Sequence, residues 1–263
     1  MSAISYATRL VPLVAAPALL VPIGVAAIAA PQAGAQATLP TPGAPMQIAP
    51  GGALVSPLTT VKSGNWSGYA VTGSTYTHVS TSYVVPPVTC KKMEAAAALW
   101  VGLDGYANKT VEQTGVSEQC MGGVAQYAAW YEAFPNPPVY YANTVVPGDV
   151  ITESVTATTA TSFALTISDT TQGWSRTTTK TVAKAKRASA EVIVEAPSTE
   201  IGPVPLANFG TAAFTKAKVD GTAIGKLNPV TIDMVSGSTL EDSTSALTKN
   251  KDFTVTWLNS GAS

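Results

Sequence analysis

The chain has 263 residues, of which 12% are charged, and a formal net charge of -1 at neutral pH. Because nucleic-acid binding requires a basic patch, this charge balance argues against a nucleic-acid partner. One histidine, two cysteines and scattered carboxylates give no zinc-ligand spacing. We therefore expect no metal and no other cofactor.

The N-terminal segment has the pattern of a secretory signal. Arg9 is followed by an apolar run over residues 10–30 and by the small-residue sequence Ala-Gln-Ala at 35–37, which is the order of a signal peptide and its cleavage site. We predict a signal peptide at 1–37 and a secreted, extracellular protein with no membrane attachment after cleavage. A membrane anchor is the alternative, but prolines interrupt the run and no basic stop-transfer cluster follows it.

The next segment, 38–62, is rich in Pro, Gly, Ala and Thr and carries no charged residue before Lys62. This composition is typical of a flexible linker or a short pro-segment. The remaining residues, 63–263, number about two hundred, which is enough for one domain with a sizeable core. We predict a single domain over 63–263 and a monomeric protein.

Cys90 and Cys120 both follow the export signal. In an oxidising compartment a disulfide between them is expected, and closing such a loop contributes about 3–4 kcal/mol in the chain-entropy model. A catalytic cysteine is the alternative, but it would need a base, and His78 is the single histidine of the sequence. His78 lies in a Thr/Ser/Tyr alternation typical of a solvated strand surface, which disfavours a role as a base.

From Asn65 onward, polar and apolar residues alternate between turns. The runs that we predict as strands are rich in Thr and Val and are separated by Gly, Pro and other turn residues: 66–71, 77–85, 127–134, 149–158, 162–169, 174–182, 188–194, 213–218 and 252–258. Hardly any helical periodicity occurs. The predicted fold class is all-β, an antiparallel β-sandwich of two packed sheets of the concanavalin-like jelly-roll type.

Two segments contain candidate site residues. In Trp100–Gly115, WVGLDGYANKTVEQTG, glycines flank a tight turn, after which Gln113 falls on an extended segment. In AEVIVE at 190–195, the alternation places Glu191 and Glu195 on one face, roughly 13 Å apart, too far to form a carboxylate pair. Glu195 ends its strand and is a candidate general base. Taken alone, a structural Gln113 and a solvated Glu195 are simpler interpretations.

Five motifs in order resemble the glutamic peptidases, the eqolisin family: NWSGYAV at 65–71, WVGLDG at 100–105, QTG at 113–115, AWYEAFP at 129–135 and AEVIVE at 190–195. The resemblance covers Asn65 to about Leu258. It implies a secreted, acid-acting, metal-independent endopeptidase that acts on protein or peptide substrates, built on two antiparallel sheets with a Gln–Glu dyad on the concave face. The matching motifs assign that dyad to Gln113 and Glu195.

The same resemblance implies that Trp100, Asp104, Trp130 and Glu132 line or support the cleft. The sequence also departs from the fungal pattern. Glu112 is an acidic residue before the dyad Gln, and Val192 is an aliphatic residue where the pattern has an aromatic one. Ser117 stands in place of an aspartate, and Phe134 in place of a tyrosine. These positions bear on substrate preference and on the pH optimum.

The implied chemistry needs no metal and no side-chain nucleophile. Glu195 would deprotonate water and pass the proton to the leaving amine, while the Gln113 amide would orient the water and donate to the oxyanion. A Glu195 that titrates around 4 would suit an enzyme that works in acid. The alternative from another class is a secreted carbohydrate-binding or adhesion sandwich without catalysis, in which Trp66, Trp100, Trp130 and Tyr131 form a stacking platform.

The signal pattern generates a first prediction. The exported chain should begin at Thr38, or nearer to Ser63 if the following segment is removed, because residues 35–37 form the cleavage site. N-terminal sequencing of the secreted protein measures this directly. Recovery of a membrane-embedded protein that retains residues 10–30 would show that the anchor interpretation is correct.

Overall fold

The computed structural model describes residues 42–49, 60–91 and 93–261. In this part of the chain the strands are, in order, β1 (Val61–Ser63), β2 (Trp66–Thr72), β3 (His78–Val84), β4 (Ala95–Leu103), β5 (Val111–Met121), β6 (Val124–Phe134), β7 (Val139–Tyr140), β8 (Val150–Ala157), β9 (Ser162–Asp169), β10 (Trp174–Thr181), β11 (Ser189–Glu195), β12 (Ser198–Thr199), β13 (Gly202–Pro203), β14 (Thr211–Val219), β15 (Thr222–Ala223), β16 (Val230–Ser236), β17 (Thr239–Leu240), β18 (Asp242–Thr244) and β19 (Phe253–Trp257). A short 3-10 helix spans Ile224–Leu227. None of the helical structure in the described ranges is long and apolar enough to cross a membrane.

The strands form two large sheets and one two-stranded pair. The site sheet has nine strands, in the order β1-β16-β2-β11-β4-β5-β6-β7, with β17 beside β16. The back sheet has eight, in the order β10-β9-β8-β3-β14-β19-β18, with β15 beside β14. Apart from β1 with β16, the paired strands run antiparallel. A hydrophobic core packs between the two sheets, and the predicted all-β antiparallel sandwich is confirmed.

The site sheet is buried on both of its faces. In β11, Val192 and Val194 belong to the core between the sheets, whereas Ile193 belongs to a second apolar cluster on the opposite face. This second group, the cleft cluster, comprises Met46, Val61, Trp66, Ala70, Ala98, Trp100, Tyr106, Val111, Trp130, Ile193, Val230 and Ile232. Burying a large apolar side chain stabilises a fold by about 1.5–3 kcal/mol, so both faces of β11 contribute to stability.

A disulfide joins Cys90 to Cys120, as predicted from the two cysteines. Cys120 lies near the end of β5, where it pairs with Ala95 at the start of β4. The disulfide therefore links the segment that precedes β4 to the C-terminal end of β5. Between these points β4 and β5 carry the Trp100 to Gly115 segment.

Two glutamates lie inside the core between the sheets. Glu118 in β5 and Glu153 in β8 are fully buried and point the same way as the core residues Val116 and Val155. Tyr83 donates its hydroxyl proton to Glu153, while neither carboxyl oxygen of Glu118 has a hydrogen-bond partner among the described residues. Burial is the main cause that raises the pKa of both carboxyls well above the usual range. The folded state therefore favours the protonated form of both carboxyls.

The free energy of unfolding should decrease as the pH rises. A glutamate whose pKa is raised by folding keeps a proton that the unfolded chain, with a pKa of 4.5, releases. This stabilisation is complete below the unfolded pKa and is lost as the pH rises toward the folded values, which reach about 7 for Asp242 and about 9 for Glu112. Thermal unfolding followed by circular dichroism should give a higher Tm at about pH 4 than at about pH 7.

Glu118→Gln provides the matched control for this prediction. The substitution keeps the shape of the side chain and removes its titration, so the Tm difference between acid and neutral pH should become smaller. A parent protein whose Tm rises between these two pH values would contradict the account.

Candidate active site

Cross-strand register brings the predicted site residues to one face of the site sheet. Gln113 in β5 lies opposite Gly102 in β4 and opposite Glu132 in β6. Trp100 in β4 lies opposite Ile193 in β11, two residues before Glu195. Residues directly opposite one another, and those two apart on a strand, share a face. The four strands β11, β4, β5 and β6 therefore present these side chains to the same cleft.

The Gln113 amide is fully buried and donates to two acceptors. Its Nε2 lies 2.7 Å from Glu132 Oε2 and 2.8 Å from the carbonyl oxygen of Gly43. Gly102 makes room beside it, because a Cβ there would lie 2.9 Å from the Trp100 ring and 3.3 Å from the Gln113 Cβ. The bond to Glu132 fixes the orientation of the amide, so its second N–H is directed at the Gly43 carbonyl.

Glu195 accepts three N–H groups. Its Oε2 accepts from the Gly43 amide at 2.6 Å and from Trp100 Nε1 at 2.9 Å, and its Oε1 accepts from the Ala44 amide at 3.2 Å. Burial raises the pKa of Glu195 to about 8, although the N–H donors act in the opposite direction. The direction differs from the expected titration around 4, because the fully buried position of the carboxyl outweighs its N–H donors.

Glu132 is a third buried carboxyl at the site. Its pKa is raised well above the usual range, first by burial and then by the nearby Glu195, while the bond from Gln113 lowers it. Glu132 is 1% exposed, and its Oε1 has no hydrogen-bond partner in the described part of the chain. Burial and the neighbouring Glu195 therefore both favour the protonated form of Glu132.

The tryptophans form the walls of the cleft. Trp66 and Trp100 pack edge to face with ring centroids 4.9 Å apart, and Trp66 Nε1 donates to the Ala44 carbonyl. Trp130 is also fully buried and belongs to the cleft cluster. Tyr131 faces the other way, toward the core between the sheets. These four aromatic residues therefore do not form the exposed stacking platform that the carbohydrate-binding alternative requires.

Asp104 lies in the turn after β4 and stabilises the position of the strands that carry the site. Its carboxylate accepts the backbone amides of Lys186, Arg187 and Ala188 at 2.7–2.8 Å and the side-chain amide of Asn108 at 2.6 Å. It holds a left-handed backbone conformation with φ of 70°. Asp104 thus ties the β4–β5 turn to the chain that enters β11. It does not contact Gln113 or Glu195.

The sequence did not reveal the roles of Asn65 and Gly43. Asn65 is buried; its Oδ1 accepts the Gln47 amide at 2.7 Å and its Nδ2 donates to the carbonyls of Ala44 and Pro45. The only signal for Asn65 was its place at the start of the NWSGYAV motif. For Gly43 there was none, since it lies in a segment without periodic pattern. Within residues 42–49, 60–91 and 93–261, no group of three metal-ligating side chains is assembled.

Comparisons with known proteins agree with this geometry. The profile of the Peptidase A4 family matches residues 64–257. Aspergillopepsin-2 of Aspergillus niger is 29% identical over 222 residues, which cover 74% of this chain and 78% of that protein. Scytalidopepsin B of Scytalidium lignicola is 32% identical over 174 residues, covering 61% of this chain and 65% of the relative.

Solved structures give the same result. A crystal structure of scytalido-glutamic peptidase with a transition state analog inhibitor matches with a TM-score of 0.66 at 27% identity, covering 74% of this chain and 98% of that chain. The crystal structure of aspergilloglutamic peptidase from Aspergillus niger matches with a TM-score of 0.57 at 30% identity, covering 62% of this chain and 99% of that chain.

Asp104→Ala should lower the free energy of unfolding by about 2–3 kcal/mol, because three partly buried backbone N–H groups lose the fully buried Asp104 side chain as their acceptor. Asp220→Ala is the matched control. Asp220 also accepts several hydrogen bonds, but at an exposed position, so about 1 kcal/mol should be lost there. Urea unfolding measures both. Equal losses of unfolding free energy would show that Asp104 contributes no more to stability than an exposed acceptor does.

Proposed function

Because the chain belongs to the Peptidase A4 family and is a peptide hydrolase, we propose that it is a secreted, acid-acting glutamic endopeptidase whose catalytic residues are Glu195 and Gln113. The observation that carries this proposal is that both side chains contact one peptide bond. The carbonyl oxygen of Gly43 lies 2.8 Å from Gln113 Nε2, and the next nitrogen, that of Ala44, lies 3.2 Å from Glu195 Oε1.

This arrangement matches what peptide hydrolysis requires. Glu195 takes a proton from a water molecule, and the water oxygen bonds to the carbonyl carbon. The carbonyl oxygen becomes an oxyanion, which the neutral Gln113 amide stabilises by donating its N–H. Glu195 then gives the proton to the amide nitrogen, and the C–N bond breaks to leave a carboxylic acid and an amine. No charge is added by Gln113, so Glu195 ionises without a like-charged partner on that side.

Action in acid requires Glu195 to be ionised there, because a general base must be ionised. Burial is the largest cause that raises the pKa of Glu195, to about 8 in the covered cleft, and it opposes this requirement. Replacement of residues 43 and 44 by a substrate changes both the burial that raises the pKa of Glu195 and the two backbone N–H donors that lower it. Trp100 Nε1 remains as a donor that favours the ionised form. The same acidic range is the one in which the buried carboxyls stabilise the fold.

Substrate and location follow from the same features. The backbone groups of residues 43 and 44 bond to side chains of the cleft, so protein or peptide substrates fit it. Secretion is supported by the signal pattern at 1–37 and by the Cys90–Cys120 disulfide, because disulfides persist in oxidising compartments.

Substitutions at the two proposed catalytic residues should have large effects for different reasons. Glu195→Gln keeps the shape of the side chain but removes the base, so hydrolysis should fall to near background. Gln113→Ala removes an oxyanion donor, which typically costs about 2.7–4 kcal/mol in the barrier, roughly a hundred- to a thousandfold in rate. Casein digestion at about pH 3–4, with pepstatin present to block aspartic peptidases, measures both.

Glu191→Gln is the control for these variants. Glu191 is equally buried on the same strand and face, but neither of its carboxyl oxygens has a hydrogen-bond partner in the described part of the chain. This variant should retain most of the parent activity. A folded Glu195→Gln protein that digests casein as fast as the parent would refute the assignment.

A further inference from the structure

The formal net charge of -1 conceals an uneven division of charge between interior and surface. Twelve of the 16 acidic residues are buried, whereas no lysine or arginine in the described ranges is buried. Burial raises the pKa of several of these carboxyls, among them Glu112, Glu118 and Glu153, so they carry less negative charge than the formal count assumes. The exterior of the described part is therefore cationic.

Five lysines lie close together at one end of the back sheet. They come from three segments: β14, the 3-10 helix that follows β15, and the turn that precedes β19. Four of the five are exposed and one is half-buried. The chain has 15 basic residues in all, so this group concentrates a third of them. We call it the lysine patch: Lys216, Lys218, Lys226, Lys249 and Lys251.

Backbone hydrogen bonds hold the three segments of the patch against one another. The Ala217 amide, between the two lysines of β14, donates to the Lys251 carbonyl at 2.9 Å. The Gly225 amide, next to Lys226, donates to the Asn250 carbonyl at 2.8 Å. The fold itself therefore brings the five lysines together, although they are distant in sequence.

Two of these lysines have a backbone conformation that is unfavourable for any residue with a side chain. Lys216 has φ of 58° and Lys249 has φ of 50°, both in the left-handed region. Lys216 lies where the pairing of β14 with β3 shifts register between Thr215 and Lys218, and such a bulge redirects a side chain. Glycine would hold the same backbone at a lower cost. Stability of the fold therefore does not account for lysine at these positions.

The acidic residues beside the patch do not neutralise it. Asp252 Oδ1 accepts the Lys216 backbone amide at 2.9 Å, and Asp220 Oδ1 accepts two backbone amides where the chain enters β3. Over the described ranges the one ion pair joins Lys62 to Asp233, outside the patch. The five ammonium groups therefore remain available to an anionic partner.

The composition of the patch favours one class of polyanion. Residues 216–227 and 249–251 include no aromatic side chain, so bases of a single-stranded nucleic acid have nothing to stack on. A lysine ammonium is a point charge on a flexible stem, which suits anionic groups repeated along a chain without fixed orientation. Carboxyl groups lose their charge in acid, whereas sulfate esters keep theirs.

We propose that the lysine patch binds a sulfated polysaccharide and so holds the protein on anionic extracellular polymers. The choice of polymer rests on the secretion and acid action proposed above, but the binding itself needs no hydrolysis. The patch lies on the back sheet, whereas Glu195 and Gln113 lie on the face of the site sheet that is turned away from the core. A polymer on the patch therefore leaves the cleft open.

The test measures binding of dextran sulfate to the full-length protein at about pH 4 by calorimetry, over a range of salt concentrations. Lys218→Gln, Lys226→Gln and Lys251→Gln, combined in one variant, remove three charges and leave the left-handed positions unchanged. The dissociation constant should rise at least about tenfold, and the slope of log K against log salt should fall in magnitude by about 2–3, because fewer counterions are released. Uncharged dextran should not bind.

A second triple variant, Lys91→Gln with Lys109→Gln and Lys184→Gln, is the matched control. These three lysines are exposed and lie outside the patch, so the net charge changes by the same amount. Its dissociation constant should stay within about twofold of the parent value, because distant surface charges are screened by salt. Circular dichroism verifies that both triple variants are folded.

Equal weakening in the two triple variants would overturn the proposal, since net charge alone would then explain the binding. Absence of binding by the parent would overturn it as well. Patch-dependent binding of DNA that is tighter than binding of dextran sulfate would overturn the polysaccharide assignment and identify a nucleic-acid site. Glu195→Gln should bind dextran sulfate as the parent does, so a failure of the proposed peptidase activity is distinguishable from a failure of this inference.

Discussion

The pairing of β11, β4, β5 and β6 in one register is the constraint on which the site depends. It places Glu195, Gln113 and Glu132 on one face of a sheet whose other face packs in the core. A slip of one residue between any of these strands would turn one of the three side chains toward the opposite face. The Cys90–Cys120 disulfide and the Asp104 carboxylate fasten the two ends of this arrangement. Both act on strand position and neither touches the reacting groups.

Desolvated carboxyls connect stability and chemistry in this protein. Glu118 and Glu153 in the core, and Glu132 in the cleft, have pKa values raised chiefly by burial. In acid these carboxyls are neutral in both the folded and the unfolded chain, whereas at higher pH the unfolded chain releases protons that burial retains in the folded state, which favours unfolding. The fold therefore favours acid. Glu195 differs from the other three because it accepts three N–H groups, which oppose the effect of burial on its pKa.

Sequence patterns predicted the features that depend on local alternation. The AEVIVE sequence placed Ile193 and Glu195 on one face, and the structure has Ile193 in the cleft cluster and Val194 in the core. The start of β4, rich in alanine, was not predicted as a strand, because a strand buried on both faces shows no polar alternation. The contact of Gly43 with Gln113 and Glu195 was beyond sequence reasoning, since it depends on a tertiary path. The raised pKa of Glu195, which follows from burial, was missed as well.

Titration of the Glu195 carboxyl tests the central claim, that residues 42–49 and Glu195 form one buried unit, most directly. Carbon-13 NMR of the labelled side chain in the full-length protein reports its protonation state at each pH. The account predicts a midpoint well above the ordinary value of 4.5, at about 8, because burial in the covered cleft outweighs the N–H donors. A midpoint at the ordinary value would contradict it.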